Sequence, residues 1–254
     1  MMEFAVAGSG SRGNSSLIRN GSTLIMVDCG FSFTETQRRL ARLEVEVEAL
    51  DAILVTHEHG DHVAGVARLA ARAHVPVWTS AGTGRAGTTR RLFTATNTFD
   101  SHASFAIGDI EVTPLIVPHD AAEPTQFLFG DGAKRMAVVT DLGHVTPFIT
   151  QALGGLDALL LESNHDDEML ASGFYPNALK KRVGGAYGHL SNAQTAELLH
   201  ALDTTRLHTL ALAHLSAQNN TPELARASAT TALGCEADWV RIADQDEGLP
   251  WVCL

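Results

Sequence analysis

Six consecutive residues constrain this chain more than any other feature: His57-Glu58-His59-Gly60-Asp61-His62, placed directly after the apolar run Ala52–Thr56. A short apolar run bounded by polar residues reads as a buried strand, so the polar cluster sits on the turn that leaves it. His57, His59, Asp61 and His62 are four potential metal ligands. A turn can aim all of them at one place, whereas a helix would spread them around its axis. Imidazole and carboxylate donors suit zinc, manganese or iron, and the lack of cysteine leans away from a purely structural zinc site. The competing reading is a solvated polar turn with histidines by chance, and the spacing after a strand weighs against it.

The 254 residues are 45% hydrophobic and 19% charged, enough to build a sizeable core. With no tandem repeat, low-complexity segment or long linker, residues 1–254 read as a single domain. The longest apolar runs, such as Ala158–Leu161 and Leu210–Ala213, have strand length rather than membrane-spanning length. Three scattered cysteines (Cys29, Cys235, Cys253) argue against a disulfide framework. Met1 to Ser16 lacks the basic-then-apolar pattern of a secretory signal, so a cytoplasmic protein without membrane association is expected. A formal net charge of −11 argues against undirected binding of polyanions, yet 12 histidines call for an explanation.

Strands are expected at Phe4–Ala7, Ser16–Arg19, Thr23–Asp28, Ala52–Thr56, Ser104–Ile107, Ile110–Pro118, Gln126–Phe129, Met136–Thr140, Ala158–Glu162 and Thr209–Ala213. Helices are expected at Thr34–Val45, Val63–His74, Pro147–Leu153, Asn192–Leu202 and Pro222–Leu233. Asp238–Ile242 and Trp251–Leu254 would close a second sheet. Strand clusters mixed with helices in both halves suggest layers, with helices covering sheets.

Thr56 to His62 resembles the HxHxDH signature of the metallo-β-lactamase superfamily. Other motifs of that superfamily follow in order: Asp28 ending an early strand, His119 after Val117-Pro118, Asp141 after Val138-Val139-Thr140, and His214 after Thr209–Ala213. The resemblance implies an α/β fold, a four-layer αββα sandwich with a dinuclear site at one edge of two sheets. It implies that His57, His59 and His119 hold one metal, that Asp61, His62 and His214 hold the second, and that Asp141 bridges them. Asp28 would orient the ligand loop by hydrogen bonds. Members that hydrolyse antibiotics generally lack the combination of His62 and Asp141, and some use a cysteine ligand, so β-lactam hydrolysis is not expected.

A second resemblance covers nearly the whole chain. Ser9 to Ser16, Pro118 to Ala121, Thr140 to Gly143, Leu161 to Asp166, Gly188 to Asn192 and Ala213 to Asn220 are similar to YycJ/WalJ-type proteins, relatives of ribonuclease Z. That family is associated with 5′→3′ exonuclease activity on DNA. By the same resemblance, His189 would protonate the leaving oxygen, and His165 would line the substrate or support the ligands without binding metal. Lys180-Lys181-Arg182, beside the glycines at 184, 185 and 188, can draw in a phosphate; a solvated helix end is the equal alternative. Ser191 and Ser216 could bind phosphate oxygens, although Ser191 is also a good N-cap. Asn14 and Ser15 could donate to a phosphate, or simply form a glycine-rich turn.

The expected function is therefore a phosphodiesterase with two divalent cations, zinc or manganese, acting as a 5′→3′ exonuclease on single-stranded DNA or RNA ends. A hydroxide bridging the metals would attack phosphorus, with Asp61, Asp141 and His189 as the catalytic residues. Asp141 and His214 lie 73 positions apart, and helices and strands fill that interval, so no inserted clamp domain is expected. The alternative is a metal-dependent hydrolase of a thioester, lactone or cyclic nucleotide phosphate, which the acidic composition favours. A metal-binding partner protein without catalysis is the reading from a different class.

Overall fold

The computed structural model describes residues 1–92 and 96–254. Its strands are β1 (Met2–Gly8), β2 (Ser15–Asn20), β3 (Thr23–Val27), β4 (Ala52–Leu54), β5 (Val77–Thr79), β6 (Asn97–Thr98), β7 (Phe105–Ile107), β8 (Ile110–Ile116), β9 (Thr125–Gly130), β10 (Arg135–Val139), β11 (Ala158–Glu162), β12 (Thr209–Ala213), β13 (Val240–Ile242) and β14 (Leu249–Cys253). They form two seven-stranded sheets, ordered β14-β1-β2-β3-β4-β5-β6 and β13-β12-β11-β10-β9-β8-β7. In the first sheet the pairing is antiparallel from β14 to β3 and parallel from β3 to β6. In the second it is antiparallel from β7 to β10 and parallel from β10 to β13.

The helices are α1 (Phe33–Arg42), α2 (Gly60–Val63), α3 (Val66–Ala73), α4 (Ala81–Arg85), α5 (Thr89–Leu92), α6 (Pro147–Ala152), α7 (Asp167–Ser172), α8 (Asn177–Val183), α9 (Asn192–Ala201) and α10 (Pro222–Leu233). Three apolar clusters fill the three interfaces of a four-layer αββα sandwich. Between the sheets, Phe4, Ile18, Ile25 and Leu54 meet Val112, Phe127, Phe129, Val138 and Leu160. The opposite faces of the same strands, through Ala5, Leu17, Met26 and Ile53, pack on Leu40, Val66 and Leu69 of α1 and α3. Leu128, Val139, Leu159 and Leu212 do the same with Ile149, Leu198 and Ala225 of α6, α9 and α10. The strict two-residue alternation of side chains along a strand makes this possible. It also explains why strands buried on both faces read as unbroken apolar runs.

Several boundaries differ from the expectation, and one topological assignment is corrected. The terminal segment expected at Trp251–Leu254 does not close the second sheet. As β14 it pairs antiparallel with β1 at the edge of the first, with Phe4 opposite Val252. The reason is its backbone pairing with β1, from Glu3 opposite Cys253 to Val6 opposite Leu249, which also lets its two faces enter two layers. Leu249 and Val252 enter the core between the sheets, while Trp251 faces out, donates from Nε1 to the Leu43 carbonyl and carries Arg19 4.0 Å above its ring. The helix expected over Val63–His74 is two helices, α2 and α3, parted at Gly65. A Cβ at that position would collide with the Phe31 carbonyl oxygen, and the Gly65 N–H donates to Cys29 O. The helix expected to reach Val45 stops at Arg42, and Glu44 turns into left-handed backbone at φ 57°. Residues 237–239 are a 3₁₀ turn before β13 rather than part of a strand.

The sheet order places the site. Residues following β3, β4, β10, β11 and β12 all leave parallel strands at their C-terminal ends, where crossover loops gather ligands. In the second sheet Val139 pairs with Leu161, and Leu161 with Leu212, so Asp141 and His214 emerge at one height two strands apart.

Candidate metal centre

Asp28, Asp141 and His214 each leave a strand in left-handed backbone, at φ 58°, 53° and 55°. Such a conformation costs a non-glycine residue roughly 1–2 kcal/mol and is concentrated at functional sites. Each turns its side chain back over the sheet edge, toward the loop from Val55 to His62.

The hydrogen bonds assign a proton to one nitrogen of each key imidazole. Asp28, buried at 2% exposure, accepts from the Thr56 N–H at 2.8 Å and from the Thr56 hydroxyl at 2.7 Å. With its own hydrogen donated, Thr56 Oγ1 accepts from His57 Nδ1 at 2.9 Å. His59 Nε2 donates to Asp120 O at 3.2 Å, and His119 Nδ1 to Gly188 O at 2.9 Å. His57 Nε2, His59 Nδ1 and His119 Nε2 are then lone pairs, and they face one another: His59 Nδ1 is 2.9 Å from His57 Nε2 and 3.2 Å from His119 Nε2. Nitrogens bound to one zinc at about 2.0–2.1 Å in a tetrahedron sit roughly 3.3–3.4 Å apart. These three therefore fit a single cation.

A second constellation abuts the first. His62 Nδ1 donates to Asp28 Oδ2 at 2.7 Å, directing Nε2 toward Asp141 Oδ2 at 3.1 Å and Asp61 Oδ2 at 3.6 Å. His214 Nδ1 donates to Asn14 Oδ1 at 3.1 Å and lies 3.6 Å from Asp141 Oδ2. Ligand atoms of Asp61, His62 and His214 lie within 4.8 Å of one another, as do those of His57, His62 and Asp141. Asp141 Oδ2 is buried between the two groups, an anionic oxygen that faces both His62 Nε2 and His214 Nδ1. The residues present fit two divalent cations.

Electrostatics agree with the geometry. Burial, reinforced by the charge of His62, holds His57 well below the usual imidazole range, so its lone pair is free. Burial also depresses His119. Burial opposes ionisation of Asp141, but His214 and His62 outweigh it and keep the carboxylate ionised far below its ordinary value. Burial likewise opposes a proton on His62, yet Asp141 and Asp28 hold it there. That proton stands where a cation would neutralise the same carboxylates.

His189 lies on the other side of Asp141. Its Nδ1 donates to Glu162 Oε1 at 2.7 Å and is 3.6 Å from Asp141 Oδ1. Burial would lower this imidazole, but the charge and hydrogen bond of Glu162 raise it to about 9. Glu162 is fully buried at the end of β11, and its other oxygen accepts from the N–H groups of Leu142 and Leu190 at 2.8 and 3.2 Å. Glu162 lies outside the set of site residues that the sequence predicts. Its signal was a single carboxylate closing the apolar run Ala158–Leu161. Asp120 is a second residue outside that set. Its Oδ1 is 3.5 Å from both His59 Nε2 and His119 Nε2, and its Oδ2 accepts from Arg182 Nε at 2.6 Å.

The remaining expected residues are placed unevenly. Arg182 reaches the rim through Asp120, whereas Lys180 Nζ donates to Ala171 O and Lys181 is exposed. Asn14 is buried and engaged by Ser9, Gly10 and His214, which makes it a brace for the ligand loops rather than an open donor. Ser15 Oγ is buried and has no hydrogen-bond partner among the described residues. Ser191 Oγ accepts from Gln194 N, and the Gln194 side chain accepts from Ser191 N, a capping box on α9. Ser216 Oγ accepts from the N–H of Asn219 in a local turn. His165 is buried beside Asn164, its Nδ1 3.3 Å from Asn164 Oδ1, and shares none of the groupings with the metal-ligand candidates among the described residues.

The sequence profile of the "Beta-lactamase superfamily domain" matches residues 23–214. The chain is 35% identical to an exodeoxyribonuclease YycJ of Bacillus anthracis, over 91% of this chain and 89% of that protein. It is 33% identical to an exodeoxyribonuclease WalJ of Streptococcus pneumoniae, over 88% of this chain and 85% of that protein. Among solved structures, zinc-bound PqqB from Methylobacterium extorquens superimposes with a TM-score of 0.76 at 20% identity, covering all of both chains. That likeness is one of fold. The fold and the likeness to these relatives are those of a metal-dependent hydrolase, and the chain is an enzyme of that class. It belongs to the metallo-β-lactamase superfamily and, within it, to the YycJ/WalJ family.

Proposed function

We propose that the protein is a phosphodiesterase with two divalent cations, and that it removes nucleotides from the 5′ end of single-stranded DNA, with RNA ends as a second substrate. The observation that carries this reading is the convergence of three bare imidazole nitrogens beside the buried Asp141 carboxylate. The name shared by its relatives, exodeoxyribonuclease, supports the substrate class.

His57, His59 and His119 would hold one cation, Asp61, His62 and His214 the other, and Asp141 would contact both. Bound there, zinc or manganese would supply Lewis acidity and an acidified water. The protein's own groups do the rest. Asp28 fixes the tautomers of His57 and His62 from a single carboxylate. Glu162 keeps His189 protonated and aims it, so that Nε2 can deliver a proton to the departing 3′ oxygen. Arg182, held by Asp120 at the rim, offers a guanidinium to a phosphate. His165, buried beside Asn164, would support the ligand loops, and Lys181, which is exposed, would add charge for the approaching strand.

The net charge of −11 favours a second reading, a hydrolase of a small thioester, lactone or cyclic nucleotide phosphate. A substrate panel separates the two. Metal-loaded protein should turn over 5′-phosphorylated single-stranded DNA and leave generic thioesters and lactones intact; the reverse selectivity would overturn the nuclease reading.

A further inference from the structure

The loop from Gly184 to His189 carries an aromatic side chain that neither the core nor the catalytic chemistry uses. Tyr187 is 62% exposed, two residues before His189. A lone exposed aromatic is ordinary on a protein surface. This one is set apart by how firmly its backbone is mounted on the metal-ligand loops. Tyr187 O accepts from the Asp120 N–H at 3.0 Å, Gly188 O from His119 Nδ1, and Ala186 O from His144 Nδ1 at 2.7 Å. Gly143, two residues after Asp141, must lack a Cβ because Ala186 O and the Tyr187 backbone occupy that space. The His144 ring meets the Tyr187 ring edge to face, 6.3 Å between centroids at 85°.

The backbone of Tyr187 is thus tied to the loops of His119, Asp120 and Asp141, while its ring meets His144 on one side and stays open to solvent. On the same rim Arg182 is bound to Asp120, the residue whose N–H holds Tyr187. A cation and a solvent-facing aromatic joined to the same residue, Asp120, are the combination that grips single-stranded nucleic acid. The cation takes the phosphate and the ring stacks on a base, without sequence preference because every base has a π-face.

We infer that Tyr187 is a positioning residue that stacks on the nucleobase adjoining the scissile phosphate. This rests on the nuclease reading above. Base–aromatic stacking is worth enough to change affinity by about 10-fold or more.

The test compares wild type, Tyr187→Ala and Tyr187→Phe on two 5′-phosphorylated single strands, one natural and one abasic at its first two positions. Metal content and melting temperature are measured for each variant. On the natural strand, Tyr187→Ala should raise KM about 10-fold with little change in kcat, and Tyr187→Phe should stay within about 2-fold of wild type. On the abasic strand the wild-type advantage over Tyr187→Ala should vanish. Equal KM values on the natural strand, or an equal loss on both strands, would overturn the stacking role. Failure of the wild type to cleave either strand would instead remove the nuclease reading, and the stacking role with it.

Discussion

At the level of single residues, the division of labour around Asp141 makes the sharpest predictions. His189 Nδ1 is committed to Glu162, so its value to the reaction is the proton on Nε2. His189→Ala should slow hydrolysis of DNA by about 10²–10⁴-fold, the usual range for lost general acid catalysis. It should slow bis(p-nitrophenyl) phosphate far less, because nitrophenolate leaves without a proton. Equal losses on both substrates would contradict an acid role. Glu162→Gln should cost about 10–100-fold on DNA, since it disturbs the aim and charge of His189 without removing it. The direction of the pH response follows from the same pair. Glu162 raises His189 to about 9, so the acid form is present below that value and is lost as pH rises through it. Cations bound beside Asp141 would draw the value downward, so the alkaline limb of wild-type kcat/KM should fall at or below pH 9 and be absent from the residual rate of His189→Ala. The metal-ligand candidates were legible in the sequence because they cluster at strand ends. Glu162 and Asp120 were not, because a lone carboxylate has no spacing to read, and its partners come from segments 27 and 62 positions away.

Among the secondary-structure elements, β11, β12 and α10 matched their expected limits because apolar pattern, cap and breaker coincide there. Thr221 caps α10, Pro222 opens it and Gly234 ends it in left-handed backbone. Short elements were harder. β5 and β6, of three and two residues, carry too few positions to show alternation, and the apolar segment of β14 gives no hint of which sheet it joins. That choice depends on a pairing with β1 that spans almost the full chain. Ser191 shows how one residue can satisfy two readings. The sequence offered it as either a phosphate ligand or a cap, and its capping box with Gln194 supports the second. Ser191→Ala should lower the free energy of unfolding by about 1 kcal/mol, and Ser191→Asp should restore most of it. Denaturant titration of the three proteins checks this; full stability in Ser191→Ala would mean that the cap is not what holds α9.

For the whole molecule, the acidity and the histidines belong together. Five of the 12 histidines converge with Asp61 and Asp141 on one sheet edge, where cations would cancel much of the local negative charge. Nucleic acid would then meet a small positive mouth on an acidic body, held by the centre and a few Lys and Arg side chains. Binding should weaken with salt, with a log–log slope of about −2, as two to three phosphate contacts would give on a single strand. A slope near zero in a fluorescence titration would contradict this. The most direct test of the two-cation phosphodiesterase is a digestion time course on single strands labelled at either end. Chelator-treated protein would be compared with protein reloaded with zinc or manganese. Metal-dependent release of the 5′ label in mononucleotides, ahead of any 3′ label, is the predicted result. Release only from the 3′ end would contradict the direction, and metal-loaded protein that cleaves neither strand would contradict the function.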